Sequence, residues 1–270
     1  MIQRSIIEVV KIIIALVALG SLVTYLLQDF LIFQPQSLSE MSRAKLVDHQ
    51  RVWQREDVSL HGWLIKGEIT KEQPLIVYYG GNAEEISGNL WTLDSFQTES
   101  FLFVNYRGFG NSTGKPSEKA LFEDALFLFD EMVEKEGIDP LNIILMGRSL
   151  GSAMAIYVAS QRQAGGVILV TGFDSMTNVG KHYYPFIPIK LLLKHKFDSA
   201  TRASEIDLPS LHIIAEYDEV IPNTNSIDLF LSWSGPAEKV IIKKAGHNDI
   251  NQYDDYWTAI NSFLRSHSQL

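Results

Sequence analysis

The 270-residue sequence predicts an α/β fold: a mostly parallel central sheet with helices on both faces, carrying a small lid insertion and preceded by one N-terminal transmembrane helix. Three observations predict it. Unbroken apolar runs of strand length recur along the chain, amphipathic helical patterns stand between them, and the first 34 residues are far more apolar than the rest. Continuous apolar runs fit strands buried on both faces. Their alternation with helices marks a sheet covered on both sides.

The N-terminal element comes first. Residues Ile12 to Leu27 carry no charge, and Ile6, Ile7, Val9 and Val10 extend the run upstream around Glu8 and Lys11. From Ser5 to Phe33 the stretch exceeds the roughly 20 apolar residues that span a bilayer. Lys11 is placed to snorkel at one interface, Tyr25, Phe30 and Phe33 suit the other, and Pro35 ends the helix. Residues 1–34 are therefore read as a membrane anchor with its flanks, and 35–270 as a single domain. A cleaved signal peptide would need small residues before the cut, for which Ala18-Leu19-Gly20 is a weak match. A buried core helix would be neither so long nor so uniformly apolar. Arg4 and Lys11 precede the span and only Asp29 closely follows it. The positive-inside bias then puts the N-terminus in the cytoplasm and the domain on the extracytoplasmic side.

Pro35 to Asp48 is polar, a short linker or helix. Arg51 to Lys66 reads as two strands, with Gly62 as a possible bulge. Apolar strand runs follow at Leu75–Tyr79, Phe101–Tyr106, Ile143–Met146, Val167–Val170, Leu211–Ala215 and Val240–Ile242. Helical patterns occupy Lys119–Glu136, stopped by Gly137, then Ser152–Gln161, Ser226–Trp233 and Asp254–Phe263. In sheets of this kind the active site gathers beyond the carboxyl ends of the strands. The segment 174–205 separates two strands and holds Tyr183, Tyr184, Phe186, Ile187, Ile189 and three leucines from Leu191. It is too short for a cap domain. It is either a small apolar lid or a layer packed on the sheet.

Charge and cysteine content remove several function classes. The net charge of −9 lacks the Lys/Arg surplus that nucleic acid binding requires. The absence of cysteine excludes a disulfide framework, a thiolate metal site and a cysteine nucleophile. No His/Asp/Glu spacing points to a metal site, and no cofactor is expected.

The chemistry concentrates in Gly147-Arg148-Ser149-Leu150-Gly151, between an apolar strand and a helix of small residues. A G-x-S-x-G sequence in that context makes a nucleophile elbow. The turn is so sharp that the neighbours of the serine must lack side chains, and the helix N-terminus adds positive potential behind it. A serine hydroxyl needs a base, and the base an orienting acid, in the chain order Ser, Asp or Glu, His. His247, in a glycine-flanked loop past the last strand, is the expected base. Among the six other histidines, His212 lies within a strand, His49 and His61 precede the serine, His182 and His195 fall in the lid segment and His267 is terminal. For the acid, Asp218 follows the strand Leu211–Ala215, with Glu216, Glu219 and especially Asp174 as alternatives. Asp249 is expected to cap the final helix. The oxyanion hole should combine the N–H of Leu150 with one from the Gly80-Gly81-Asn82-Ala83 loop, that of Asn82. Tyr106 to Gly114 carries three glycines and reads as a tight loop near the pocket; a phosphate loop would need a Lys-Ser/Thr pair that does not follow.

These pieces together resemble the Bem46-like branch of the α/β-hydrolases, related to α/β-hydrolase domain-containing proteins 13 and 17 and to serine aminopeptidase-like hydrolases. The resemblance runs from Leu31-Ile32-Phe33-Gln34-Pro35 through Gly81-Asn82-Ala83, Asn105-Tyr106-Arg107-Gly108 and the elbow. It continues through Tyr184-Pro185, Phe197-Asp198-Ser199, Asp218 with Ile221-Pro222, and Gly246-His247-Asn248-Asp249. It implies an α/β-hydrolase fold and a membrane-tethered esterase or thioesterase with Ser149, Asp218 and His247 as its triad, favouring Asp218 over Asp174. One departure is that the family usually has His-Gly before the asparagine, where this chain has Gly80-Gly81. The expected partners are a small-molecule or lipid-like acyl ester and the membrane itself. An aminopeptidase or a silent, anchored binding module on the same scaffold is the alternative.

Overall fold

Strands buried on both faces need every backbone group paired sideways and every side chain packed above or below. The computed structural model, which describes residues 2–38 and 47–267, meets this demand with an eight-stranded sheet among the described residues. The strands are β1 (Gln50–Arg55), β2 (Val58–Ile65), β3 (Leu75–Tyr79), β4 (Ser100–Val104), β5 (Ile143–Arg148), β6 (Gly166–Val170), β7 (Ser210–Ala215) and β8 (Ala237–Ile242). Their spatial order is β1-β2-β4-β3-β5-β6-β7-β8. The pairs β1–β2 and β2–β4 are antiparallel, and every pair from β4 to β8 is parallel. From β3 the chain moves outward to β4 and then returns to the other side of β3 as β5. The carboxyl ends of β3 and β5 therefore flank the topological switch point, where open α/β sheets bind ligands.

Among the described residues the α-helices are α1 (Ile2–Ile32), α2 (Glu118–Glu134), α3 (Leu150–Gln161), α4 (Met176–Tyr183), α5 (Ile189–Leu192), α6 (Ser199–Ala203), α7 (Asn223–Ser232) and α8 (Asp254–His267). Two apolar clusters form, one on each face of the sheet. Leu121, Phe129 and Met132 of α2 and Met154 and Ile156 of α3 fill one; Ile260, Phe263 and Leu264 of α8 fill the other. Ser117 caps α2, its hydroxyl accepting the Ala120 N–H at 3.3 Å.

Two local expectations fail. Gly62 is paired without interruption to Arg51 on one side and Val104 on the other, so it is not a bulge. A Cβ there would lie 2.1 Å from the Phe103 carbonyl oxygen; glycine is required by close approach of the β4 backbone. Asp249 does not cap the final helix, which begins five residues later. Its carboxylate instead accepts the Gly246 N–H at 2.7 Å and braces the loop carrying His247. Part of the polar segment Pro35–Asp48, residues 39–46, lies outside the described residues.

From Ile6 to Ile32, α1 is long and apolar enough to cross a membrane, with an 18-residue window of mean hydropathy 2.5. Its 27 residues rise about 40 Å, against about 30 Å of bilayer hydrocarbon. Most of its side chains are exposed, but near its end Gln28 and Ile32 are buried. Gln28 is 3% exposed, and its amide accepts the Lys194 N–H at 2.7 Å and donates to the Leu192 and Tyr25 carbonyls. Asp29 accepts from His195 Nε2 at 3.0 Å, while His195 Nδ1 accepts the Glu118 N–H at 3.2 Å, which fixes the ring proton on Nε2. Ile32 and Phe33 enter the core, with Phe33 against His195 and Phe197. The last turn of α1 is thus bolted to the segment after α5.

His212, buried in β7 between the rings of Phe230 and Trp233, has its pKa pushed down by burial to about 3. The folded state therefore favours the neutral ring. Its contribution to stability is full above the ordinary value near 6.5 and is lost as pH falls from there toward 3, at up to ~1.4 kcal/mol per pH unit. The melting temperature in detergent is expected to drop between pH 6.5 and 4, and His212→Gln to flatten that drop.

Candidate active site

The elbow forms where β5 meets α3. Ser149 sits at φ 50°, ψ −117°, a backbone conformation that L-residues rarely adopt. The strain is held by sterics on both sides. A Cβ on Gly147 would lie 2.4 Å from the Gly151 carbonyl oxygen, and one on Gly151 would lie 1.9 Å from that of Tyr79. The Ser149 N–H donates to the Val170 carbonyl at 2.8 Å, pinning the turn to β6.

This conformation lifts the Ser149 side chain toward the loop after β8. Its Oγ lies 3.0 Å from His247 Nε2. His247 Nδ1 lies 2.9 and 3.0 Å from the two carboxylate oxygens of Asp218. With Nδ1 facing a carboxylate, that nitrogen carries the proton and Nε2 is left to accept from the serine. Asp218 is itself held: its Oδ1 accepts the N–H groups of Val220 and Ile221 at 2.9 and 2.7 Å. The His247 backbone is fixed by Glu219, which accepts its N–H at 3.1 Å, and by Arg148, which donates to its carbonyl at 3.1 Å. Ser149 and His247 are 8% and 4% exposed, so the pair sits at the floor of a recess.

Asp174 points elsewhere. Its carboxylate accepts from the amides of Asn225, at 2.7 Å, and Asn178, and its carbonyl accepts from Ser199 and Ala200. It ties the lid segment to α7 and does not reach the histidine. Glu216 engages Lys243 and the Lys244 N–H.

Opposite Ser149, His247 and Asp218 lies the loop after β3. Among the described residues the N–H groups of Asn82 and Leu150 donate to no protein acceptor, whereas the Gly81 N–H is taken by Glu84 Oε2 at 2.7 Å. Glu84 is the hub under this loop. It also accepts from Tyr78 Oη at 3.0 Å, from the Asn89 amide, and from Arg148 Nη1 at 3.2 Å. Burial, reinforced by the Glu84 carboxylate, raises the Tyr78 phenol well above its ordinary pKa and keeps it a donor. Arg148 also reaches Asn248 at 3.1 Å, so one guanidinium links the loop after β3 to the loop carrying His247. Tyr106 Oη supports the same loop by donating to the Gly80 carbonyl at 2.8 Å. Sequence reasoning missed Glu84; its only signal is an acidic residue three positions after Gly81. The three-glycine loop 106–114 braces the site rather than lining it. Its Gly110 N–H donates to the Gln36 carbonyl at 2.8 Å, and its Ser112 and Thr113 pair with β2.

Gly81, Asn82, Ser149, Val220 and His247 line a cavity of about 390 Å³, within the range of small-molecule sites. Gln34, two residues beyond the end of α1, completes its wall, and its N–H donates to Asn82 Oδ1 at 3.0 Å.

The profile of the family described as serine hydrolase (FSH1) matches residues 90–248, more than half of the chain and the stretch that holds the elbow, Asp218 and His247. The chain belongs to this serine hydrolase family. Among its relatives, an uncharacterized protein of Mycobacterium tuberculosis is 30% identical over 244 residues, covering 88% of this chain and 86% of that protein. An uncharacterized membrane protein of Saccharomyces cerevisiae is 30% identical over 219 residues, covering 78% and 76%. The α/β-hydrolase domain-containing protein 17B of Homo sapiens is 29% identical over 191 residues, covering 69% of this chain and 60% of that protein. Among solved structures, an esterase of Pyrococcus furiosus superposes with a TM-score of 0.63 at 15% identity, covering 86% of this chain and 99% of that one. At that identity the likeness speaks for the fold alone, and the fold of this serine hydrolase is that of the α/β-hydrolases.

Proposed function

We propose that this hydrolase cleaves carboxylic esters or thioesters at a membrane surface through an acyl-enzyme on Ser149. The observation that carries the reading is the unbroken relay from Ser149 Oγ through His247 to Asp218, with Ser149, His247 and Asn82 lining one cavity and, among the described residues, the Leu150 and Asn82 N–H groups left without a protein acceptor. His247 Nε2 takes the hydroxyl proton as Ser149 Oγ bonds to the substrate carbonyl carbon. The two N–H groups hold the oxyanion. Collapse breaks the bond to the alkoxide or thiolate, which leaves with the proton from His247. Water, deprotonated by the same nitrogen, then releases the acid and restores the serine.

Esters and thioesters are favoured over peptides with a free amine by the cavity wall. Its carboxylate, Glu84, is already paired with Arg148 and three further donors, which leaves no anionic site there for an ammonium group. The membrane setting rests on α1, and the distribution of Arg4 and Lys11 against Asp29 supports an extracytoplasmic domain. Purified full-length protein should hydrolyse short and medium acyl esters and thioesters and leave aminoacyl amides intact. Preferential cleavage of aminoacyl amides would replace this reading with the peptidase one.

Glu84→Gln removes the charge under the oxyanion-side loop and leaves Arg148 without its carboxylate. Displacing a catalytic loop by about 1 Å costs on the order of 10²-fold. The expected result is a kcat lowered by about 10- to 100-fold with KM changed little, measured by steady-state ester hydrolysis.

A further inference from the structure

The face of the molecule beside the end of α1 has a composition unlike the rest. Residues 176–197 contain four lysines and no aspartate or glutamate, in a chain of net charge −9. Within the same stretch Phe186 is 86% exposed and Leu191 84% exposed, flanked by exposed Tyr183 and Tyr184. Large apolar side chains left in water are costly unless something covers them. Aromatic and aliphatic residues interspersed with lysine match a membrane interface, where rings sit at head-group level and ammonium groups meet lipid phosphates.

The position of this face supplies the second argument. It is continuous with the helix that would cross the bilayer. The amide of Gln28 clasps the backbone of Leu192 and Lys194, Lys194 Nζ lies 4.7 Å from the centre of the Tyr25 ring, and Asp29 holds His195. A segment bolted to the last turn of a membrane-spanning helix cannot sit far from the head groups. The same segment reaches the catalytic cavity at its other end. Tyr183 Oη donates to the carbonyls of Glu219 and Val220 at 3.0 Å, and Val220 lines the cavity. Gln34 lines it from the other side, only two residues past Ile32, about 7 Å of extended chain at most.

We infer that residues 176–197 seat the domain on an anionic phospholipid leaflet: Phe186 and Leu191 enter the interface, Lys181 and Lys190 meet lipid phosphates, and the mouth of the Ser149 cavity is held at head-group level. The substrate class that follows is acyl groups borne by the membrane. The inference rests on reading α1 as a membrane anchor and requires nothing of Ser149 itself. Each lysine at an anionic surface shifts the seating equilibrium about fivefold, so the commitment to anionic lipid is testable apart from apolar contact.

The chain has no cysteine, so a single introduced one takes an environment-sensitive nitrobenzoxadiazole label without background. Full-length Phe186→Cys, Leu191→Cys and, as a control on the exposed β8 edge, Glu238→Cys are labelled and reconstituted in nanodiscs. One set of discs is phosphatidylcholine, the other phosphatidylcholine with phosphatidylglycerol. The two lid labels are expected to brighten by about twofold or more and shift to the blue in the anionic discs relative to the zwitterionic ones. Glu238→Cys should stay constant, and adding Lys181→Glu with Lys190→Glu should abolish the difference. Lid labels that match the control while the chain remains in the discs overturn the inference and leave the anchor standing. Equal responses in the two lipids overturn the anionic leaflet. A chain that does not stay with the discs overturns the anchor and the inference together, while fluorophosphonate labelling of Ser149 reports separately on the hydrolase reading.

Discussion

Replacing Ser149 with alanine is expected to lower kcat/KM for a short p-nitrophenyl ester by on the order of 10⁴-fold or more. The serine contributes the only covalent bond that the proposed chemistry makes between protein and substrate, and its position is enforced rather than incidental. The φ of 50° at Ser149, held between Gly147 and Gly151, is a strained geometry that a plain turn would relax. Because triad members act as a unit, His247→Ala should lose about as much, and the double variant little more than either. The loss should fall on kcat, since neither substitution fills the 390 Å³ cavity. Wild-type rates in Ser149→Ala would place the chemistry elsewhere.

Asp218→Asn should cost about 10⁴-fold in kcat, while Asp174→Asn should leave kcat nearly unchanged. The asymmetry comes from geometry. An asparagine at 218 keeps the shape but can turn an N–H toward His247 Nδ1, which favours the wrong tautomer and takes away the acceptor on Nε2. At 174 the carboxylate serves Asn225 and Asn178 instead, so its loss disturbs the packing between the lid segment and α7. That change should lower the melting temperature, with ~1–3 kcal/mol lost for a disturbed buried hydrogen bond. Thermal denaturation and steady-state kinetics on the two variants separate the roles.

The contrast between these aspartates shows what a sequence can carry. Both follow a strand, both sit at the carboxyl edge of the sheet, and only Asp218 is turned toward the histidine. The elbow was legible because its requirements are local: two glycines, a strand before and a helix after. His247 was legible from chain order and its glycine neighbour. Glu84 was not, because its importance comes from Tyr78, Asn89 and Arg148 converging on one carboxylate, and no pattern of spacing announces that. Gly62 reads as a bulge until β4 is laid against it, since close approach of two backbones is a property of the pair. Asp249 looked like a helix cap from its place before an amphipathic run; the helix starts later, and the carboxylate serves the histidine loop. Gln28 and Asp29 stand out in the sequence only as polar residues ending an apolar run. Their partners, Lys194 and His195, lie more than 160 residues away, and only the fold brings them together.

The site geometry makes one demand above the others: the hydroxyl of Ser149 must be the most nucleophilic serine, because among the described residues it alone has a base 3.0 Å away that is itself oriented by a carboxylate. A fluorophosphonate probe followed by mass spectrometry of the labelled peptides measures this without a known substrate. The predicted result is a single stoichiometric adduct on Ser149, lost in Ser149→Ala and strongly slowed in His247→Ala and Asp218→Asn. An intact, folded protein that takes no label, or takes it at another residue with Ser149 untouched, would contradict the account.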